Sequence, residues 1–164
     1  MALCVAAAVT IGIVLPAPRF DFSFLTFDRQ DMQEAESQIQ RGIQLYQQGA
    51  YPAAVVELNK TMEAYPDEWR APFYLGIIMN LFKQFDQSIP YLERAFLLNP
   101  TEPKIPNALG VAYFKLGRLD MAKGYFAVSL ELDPANTDTK AIFDSMAKLQ
   151  RSTRLAADKG QTSL

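Results

Sequence analysis

The sequence of 164 residues contains no histidine and a single cysteine, Cys4. Zinc, copper and haem sites usually need imidazole or thiolate ligands, so we expect no transition-metal site and no cofactor. Without histidine, a general base near neutral pH would have to be a strongly shifted carboxylate or lysine, and no polar cluster in the sequence suggests one. One thiol excludes an intramolecular disulfide and leaves the redox compartment open. We therefore predict that the protein is not an enzyme.

The chain also lacks an excess of positive charge. Its 16 basic and 18 acidic residues give a net charge of −2 and an isoelectric point of about 5.2. Because no overall positive field draws the protein to phosphate backbones, we expect no nucleic-acid partner. Apolar residues make up 49% of the chain, which at this length allows one domain with a genuine core.

The segment 1–18 carries no charge, and Arg19 is the first charged side chain. As a cleavable signal it lacks a basic leading region, and Pro18 follows the small residue Ala17. As a spanning helix, the stretch Ala2–Ala17 within it rises only about 24 Å, against a hydrocarbon core of about 30 Å. A buried soluble helix is the alternative, although nothing amphipathic marks a partner face. We predict a hydrophobic anchor or signal-like segment, either cleaved or retained, in a membrane-associated or exported protein rather than a cytosolic one.

The next segment, Phe20–Phe27, reads FDFSFLTF and holds four of the 11 phenylalanines. A linker beside a folded domain is normally polar, so this one should lie against a membrane, the protein's own surface or a partner. Phe20, Phe22 and Phe24 would share a face of a strand, whereas Phe20, Phe24 and Phe27 would share a face of a helix. The periodicity does not decide between them. Its place beside the hydrophobic segment favours an aromatic collar at the membrane interface, within a linker at 19–34.

A period of thirty-four residues runs through the rest of the chain. It is marked by glycines and, independently, by prolines: Gly42, Gly76 and Gly110; Pro66, Pro100 and Pro134. Two further sets keep the same phase, one small and one bulky: Ala54, Ser88 and Ala122; Leu58, Leu92 and Phe126. A glycine inside a helix costs about 1 kcal/mol relative to alanine, so we expect close helix approach at each of these glycines. The prolines should follow the second helix of each unit.

This pattern resembles the tetratricopeptide repeat family, and the third unit, ALGVAYFKLGRLDMAKGYFAVSLELDP, matches it best. The resemblance implies an all-α fold, a right-handed superhelical array of three helix pairs at 35–68, 69–102 and 103–136. Arg41, Pro72 and Lys83 depart from the family pattern, and Lys83 stands where the other units have Gly49 and Gly117. A three-repeat array of this kind is expected to bind proteins.

The ends of the array are also predicted. The sequence DMQE at 31–34 has the form of a capping box and should start the first helix. Ile142, Met146 and Leu149 recur at helical intervals, which indicates a capping helix at 137–150. The last fourteen residues, 151–164, lack a sustained apolar pattern, and we expect this polar tail to fray.

In the resembling family, the first helices of the units line a concave groove. The equivalent positions give an apolar groove with a basic fringe. The residues expected to bind a partner there are Ile39, Ile43, Tyr46, Arg70, Phe73, Ile77, Leu81, Lys104, Asn107, Val111, Phe114 and Lys115, and Glu36, Gln47 and Asn80 face it too. Such a groove suits an extended or helical peptide with apolar anchors and some acidic character, unless the protein's own segments cover it.

Some tetratricopeptide domains grip the C-terminal carboxylate of heat-shock chaperones with lysine, asparagine and arginine side chains. Of the equivalent positions here, only Lys104 carries a suitable residue, so we expect no such clamp; the others are Ile39, Ile43, Tyr74 and Ala108. The sequence therefore favours a non-catalytic adaptor that holds a peptide segment of an unidentified protein. The alternative is a structural subunit built permanently into a larger, membrane-associated complex.

Overall fold

A computed structural model of the chain describes the backbone of residues 23–161 and the side chains of residues 32–148 and Arg151. The chain divides into two compact units, residues 1–33 and 34–164. Seven α-helices and no strand are found in the described part. Their bounds are α1 Ser23–Gln47, α2 Tyr51–Ala64, α3 Arg70–Leu81, α4 Phe85–Leu98, α5 Lys104–Lys115, α6 Leu119–Leu132 and α7 Thr137–Gln161. The all-α prediction is confirmed.

The repeated glycines mark where paired helices approach most closely. A β-carbon added to Gly42 would come 2.7 Å from Leu58, and one added to Gly76 would come 2.5 Å from Leu92. Leu58 and Leu92 are fully buried. The predicted close approach is confirmed, because only a residue without a side chain leaves room for the bulky residue of the second helix.

The turn within each helix pair needs a left-handed backbone residue. Gly49 has φ 75° and Gly117 has φ 73°, values that glycine adopts at little cost. Lys83 takes the equivalent place in the middle pair with φ 61°, although its β-carbon makes this conformation unfavourable. The surrounding helices therefore impose the turn on a residue that does not favour it.

Both predicted array ends are wrong in extent. The helix α1 begins at Ser23 rather than at the capping box, whose four residues lie inside it. The helix α7 continues past residue 150 to Gln161, so 151–161 is helical rather than frayed. The reason is the same at both ends: neither extension contains proline, so no residue in it interrupts the backbone hydrogen bonds of a helix that is already nucleated.

The membrane predictions concern residues that are mostly outside the described part of the chain. The segment 1–18 and Phe20–Phe22 lie there, as does the collar arrangement of the phenylalanine side chains. The backbone of 23–27 is helical, which excludes the strand arrangement for that portion. Across the described helices, none has the length and apolar character needed to cross a membrane.

Candidate partner-binding groove

A cavity of about 430 Å³ lies between α3 and α5. Its lining comes from two helix faces with i, i+4 and i+7 spacing: Phe73, Ile77, Asn80 and Leu81 from α3, and Lys104, Asn107, Ala108 and Val111 from α5. The volume lies within the range of about 300–1,000 Å³ that is common for ligand pockets. Six of the partner-binding residues expected from the sequence are thus brought together, and the cavity adds Ala108, whose small side chain leaves space.

Ile39 and Ile43 were predicted to line the groove, and the structure places them in the core instead. Ile39 is 0% exposed and Ile43 is 8% exposed. Both belong to one buried cluster with Leu58 of α2 and with Leu75 and Ile78 of α3. The prediction is wrong at these two positions because the neighbouring helices cover them.

Tyr46 lies in an aromatic cluster rather than in the cavity. Its ring centroid is 5.1 Å from that of Tyr74 and 5.9 Å from that of Tyr51. Burial raises the pKa of the Tyr46 hydroxyl, and its two tyrosine neighbours raise it further. These contacts tie the end of α1 to α2 and α3.

Phe114 contributes to a separate apolar cavity of about 320 Å³ beside α7. The other lining residues of that cavity are Ala141, Ile142, Ser145 and Met146. Lys115 is exposed and lines neither of these two cavities. The two residues therefore lie outside the cavity between α3 and α5, and Phe114 faces α7 instead.

Arg70 was predicted to supply positive charge to a partner, and the structure shows it occupied by two carboxylates. Its guanidinium donates hydrogen bonds to Glu36 at 2.6 and 3.1 Å and to Glu68 at 2.6 and 2.8 Å. The bonds from Arg70, followed by one from Gln40, lower the pKa of Glu36 to about 2. Burial raises the pKa of Glu68, but the bonds from Arg70 outweigh it and the net change is downward.

Lys104 occupies the same place in the third repeat and has a different environment. Its backbone N–H donates to Glu102 at 3.4 Å, whereas no described carboxylate forms an ion pair with its ammonium group. Since Lys104 lines the cavity and is exposed, its charge is available to a bound molecule. Of the three cations predicted at the groove, Arg70 is neutralised and Lys115 lies outside the cavity, so Lys104 alone offers its charge there.

Asn80 joins the two helices that form the cavity. Its side-chain Nδ2 donates to the backbone carbonyl of Ala108 at 3.3 Å. Its Oδ1 is buried and has no hydrogen-bond partner. If the amide were flipped, Oδ1 would face the carbonyl oxygen of Ala108, and both atoms are acceptors. The contact with Ala108 therefore sets the amide orientation and leaves Oδ1 as the atom without a partner. Asn107 is held from the other side, because its Nδ2 donates to Thr139 of α7.

Comparison with known proteins agrees with the repeat pattern. The tetratricopeptide repeat model matches residues 107–136. Heat shock protein STI1 of Saccharomyces cerevisiae is 32% identical over 82 residues, which cover 50% of this chain and only 14% of the yeast protein. The first repeat domain of Spaghetti (RPAP3), solved with an HSP90 peptide, superposes with a TM-score of 0.68 at 25% identity, covering 73% of this chain and 94% of that one.

Residues 107–136 thus match a tetratricopeptide repeat, and 73% of the chain shares the fold of a tetratricopeptide domain. MamA from Desulfovibrio magneticus RS-1 shares the fold over 98% of this chain and 89% of its own, with a TM-score of 0.66 at 21% identity. The tetratricopeptide fold is a scaffold for protein interaction, and the two repeat domains of Spaghetti (RPAP3) were each solved with the HSP90 peptide SRMEEVD. A protein-interaction module is therefore the coarse function that the fold and the matched repeat support.

Proposed function

We propose that this protein is a non-catalytic adaptor that holds a peptide segment of a partner protein in the cavity between α3 and α5. The observation that carries the proposal is the cavity itself, which is mainly apolar and open at a helix face. Leu81 stands at its rim with 52% of its side chain exposed. Water leaves such surfaces favourably when an apolar side chain docks.

Site-specific photo-crosslinking tests the proposal. A photoreactive amino acid at position 81 reports on the cavity, and the same amino acid at position 97 is the matched control. Leu97 is also apolar, is 82% exposed, and lies on α4 outside the cavity lining. We expect a protein adduct from position 81 that is absent from position 97. Equal labelling from both positions, or none from position 81, would contradict the proposed site.

Adaptor and permanent subunit differ in how the partner is released. Once crosslinking has identified the partner, the complex is prepared without the photoreactive amino acid. An adaptor should then release its partner on competition with its peptide or in high salt. A permanent subunit should co-purify with it at fixed stoichiometry under the same washes. Release without competitor at low protein concentration would favour the adaptor most directly.

We also propose that the hydrophobic segment 1–18 brings the array to a membrane. Its uncharged sequence supports this proposal. Deleting 1–18 should move the full array from the membrane fraction to the soluble fraction. Unchanged fractionation would contradict this proposal.

A further inference from the structure

Resting on the proposed function, we infer that the cavity between α3 and α5 binds an extended internal segment of its partner, in which an acidic residue lies close to an apolar one. Lys104 binds the acidic side chain, the apolar wall around Ile77 and Val111 receives the apolar one, and Asn80 accepts a backbone N–H.

The charge of the segment follows from the repeat position shared by Glu36, Arg70 and Lys104. Glu36 and Arg70 neutralise each other, and Arg70 also holds Glu68. The charge of Arg70 is therefore already neutralised at this repeat position. Lys104 is the cationic member of the cavity lining, with no carboxylate paired to its ammonium group among the described residues. A carboxylate seated beside it gains a charge-assisted hydrogen bond.

The extended conformation follows from Asn80. A buried acceptor without a partner is costly, so a donor that reaches Oδ1 is favoured beyond its own hydrogen bond. A helical partner uses its N–H groups internally after the first turn, whereas an extended segment presents them along its length. Because Oδ1 is buried, this hydrogen bond requires a lining side chain to change rotamer when the segment binds, a change that is common at interfaces.

The internal position follows from the residues around the cavity. Lys104 is the one cationic residue in the described lining, and the Nδ2 groups of Asn80 and Asn107 already donate to Ala108 and Thr139. One lysine can pair with one carboxylate, and a chain end that also carried an acidic side chain would leave a second charge without a partner. The cavity therefore suits a segment within a chain better than its end.

The probes are short peptides, acetylated and C-terminally amidated, with one glutamate and one leucine at increasing separations in a glycine–serine background. Binding is measured by fluorescence anisotropy at low salt. One separation should bind best, and Lys104→Glu should weaken that peptide at least about tenfold. Replacing its glutamate by lysine should restore binding to Lys104→Glu. Lys115→Glu is the matched control, since Lys115 lies on the same helix outside the cavity lining.

Asn80 is tested by N-methylating the peptide backbone one residue at a time. Methylation at one position should weaken peptide binding to the parent protein about tenfold. The same methyl group should leave peptide binding to Asn80→Ala unchanged, and thermal melting checks that this variant is folded. The inference would be overturned if Lys104→Glu and Lys115→Glu lost affinity equally. It would also be overturned if peptides with a free C-terminus or stapled helical peptides bound more tightly, or if no N-methylation weakened binding. If position 81 still captures a partner in that case, the proposed function stands; if it captures none, both fail.

Discussion

Gly110 on α5 faces the ring of Phe126 on α6 so closely that an added β-carbon would lie 2.7 Å from ring atoms Cδ1 and Cε1. Phe126 is fully buried, so its ring has little room to withdraw. Gly110→Ala should therefore lower the free energy of unfolding by about 1–3 kcal/mol through overpacking. The chain supplies its own control in Gly124 of α6, where an added β-carbon meets nothing within 4 Å. Gly124→Ala should raise stability by up to about 1 kcal/mol. Denaturant melts showing the same sign for both variants would contradict this packing.

The left-handed turn at Lys83 predicts a stabilising change. Lys83→Gly should raise the free energy of unfolding by about 0.5–1 kcal/mol, because glycine adopts φ 61° without strain. Gly117→Ala is the reciprocal control, since it adds a β-carbon at φ 73° where no neighbour lies within 4 Å. It should lower stability by about 1 kcal/mol. A melt in which Lys83→Gly loses stability would show that other contacts of the lysine outweigh backbone strain.

The pairing of Arg70 with Glu36 predicts acid sensitivity. The folded-state pKa of Glu36 is about 2, below its value in an unfolded chain, so its contribution is full above about pH 4.3 and is lost as pH falls towards 2. Because Glu36 is half exposed, solvent screening limits that contribution to about 1 kcal/mol or less. Carboxyl NMR titration should place the Glu36 pKa below 3 in the parent protein and near 4.3 in Arg70→Gln. Identical titrations in the two proteins would exclude the pairing in solution.

Ile77→Asp should separate folding from binding. Ile77 is half-buried in the cavity wall, so the new carboxylate can still reach water while its charge prevents an apolar side chain from docking. We expect a cooperative melt, a modest loss of stability, and loss of the adduct formed from position 81. Leu97→Asp makes the same change outside the cavity and should leave the adduct intact. Normal capture by Ile77→Asp would place the binding surface elsewhere.

The four phenylalanines at positions 20, 22, 24 and 27 are predicted to form an interfacial collar that helps the hydrophobic segment hold a membrane. Changing all four to serine should reduce retention in membranes washed at alkaline pH, because aromatic rings favour the interface. The melting temperature of the array serves as the control for folding. Unchanged retention, or a mature protein that begins after Ala17 and is soluble, would exclude the collar.

The sequence by itself determined the helix pairs and their closest contacts. A glycine and the bulky residue sixteen positions later belong to one repeat, so their contact depends only on local folding and recurs with the period, as Gly42 with Leu58 and Gly76 with Leu92 show. Helix type was equally predictable, because each segment satisfies its own backbone hydrogen bonds. The helix ends were predicted less well: at Ser23 and Gln161 the chain continued through residues that merely tolerate a helix.

The tertiary structure alone decided which groove positions reach a partner. Ile39, Phe73 and Asn107 occupy the same repeat position, yet Ile39 is fully buried in the core cluster that joins α1 to α2 and α3, while Asn107 lines the cavity. Glu36, Arg70 and Lys104 also share one repeat position, and Glu36 and Arg70 form an ion pair in which Lys104 takes no part. Position within a repeat fixes the direction of a side chain on its own helix. What that side chain meets depends on the adjacent repeat, thirty-four residues away in sequence and in contact only after the helices have packed.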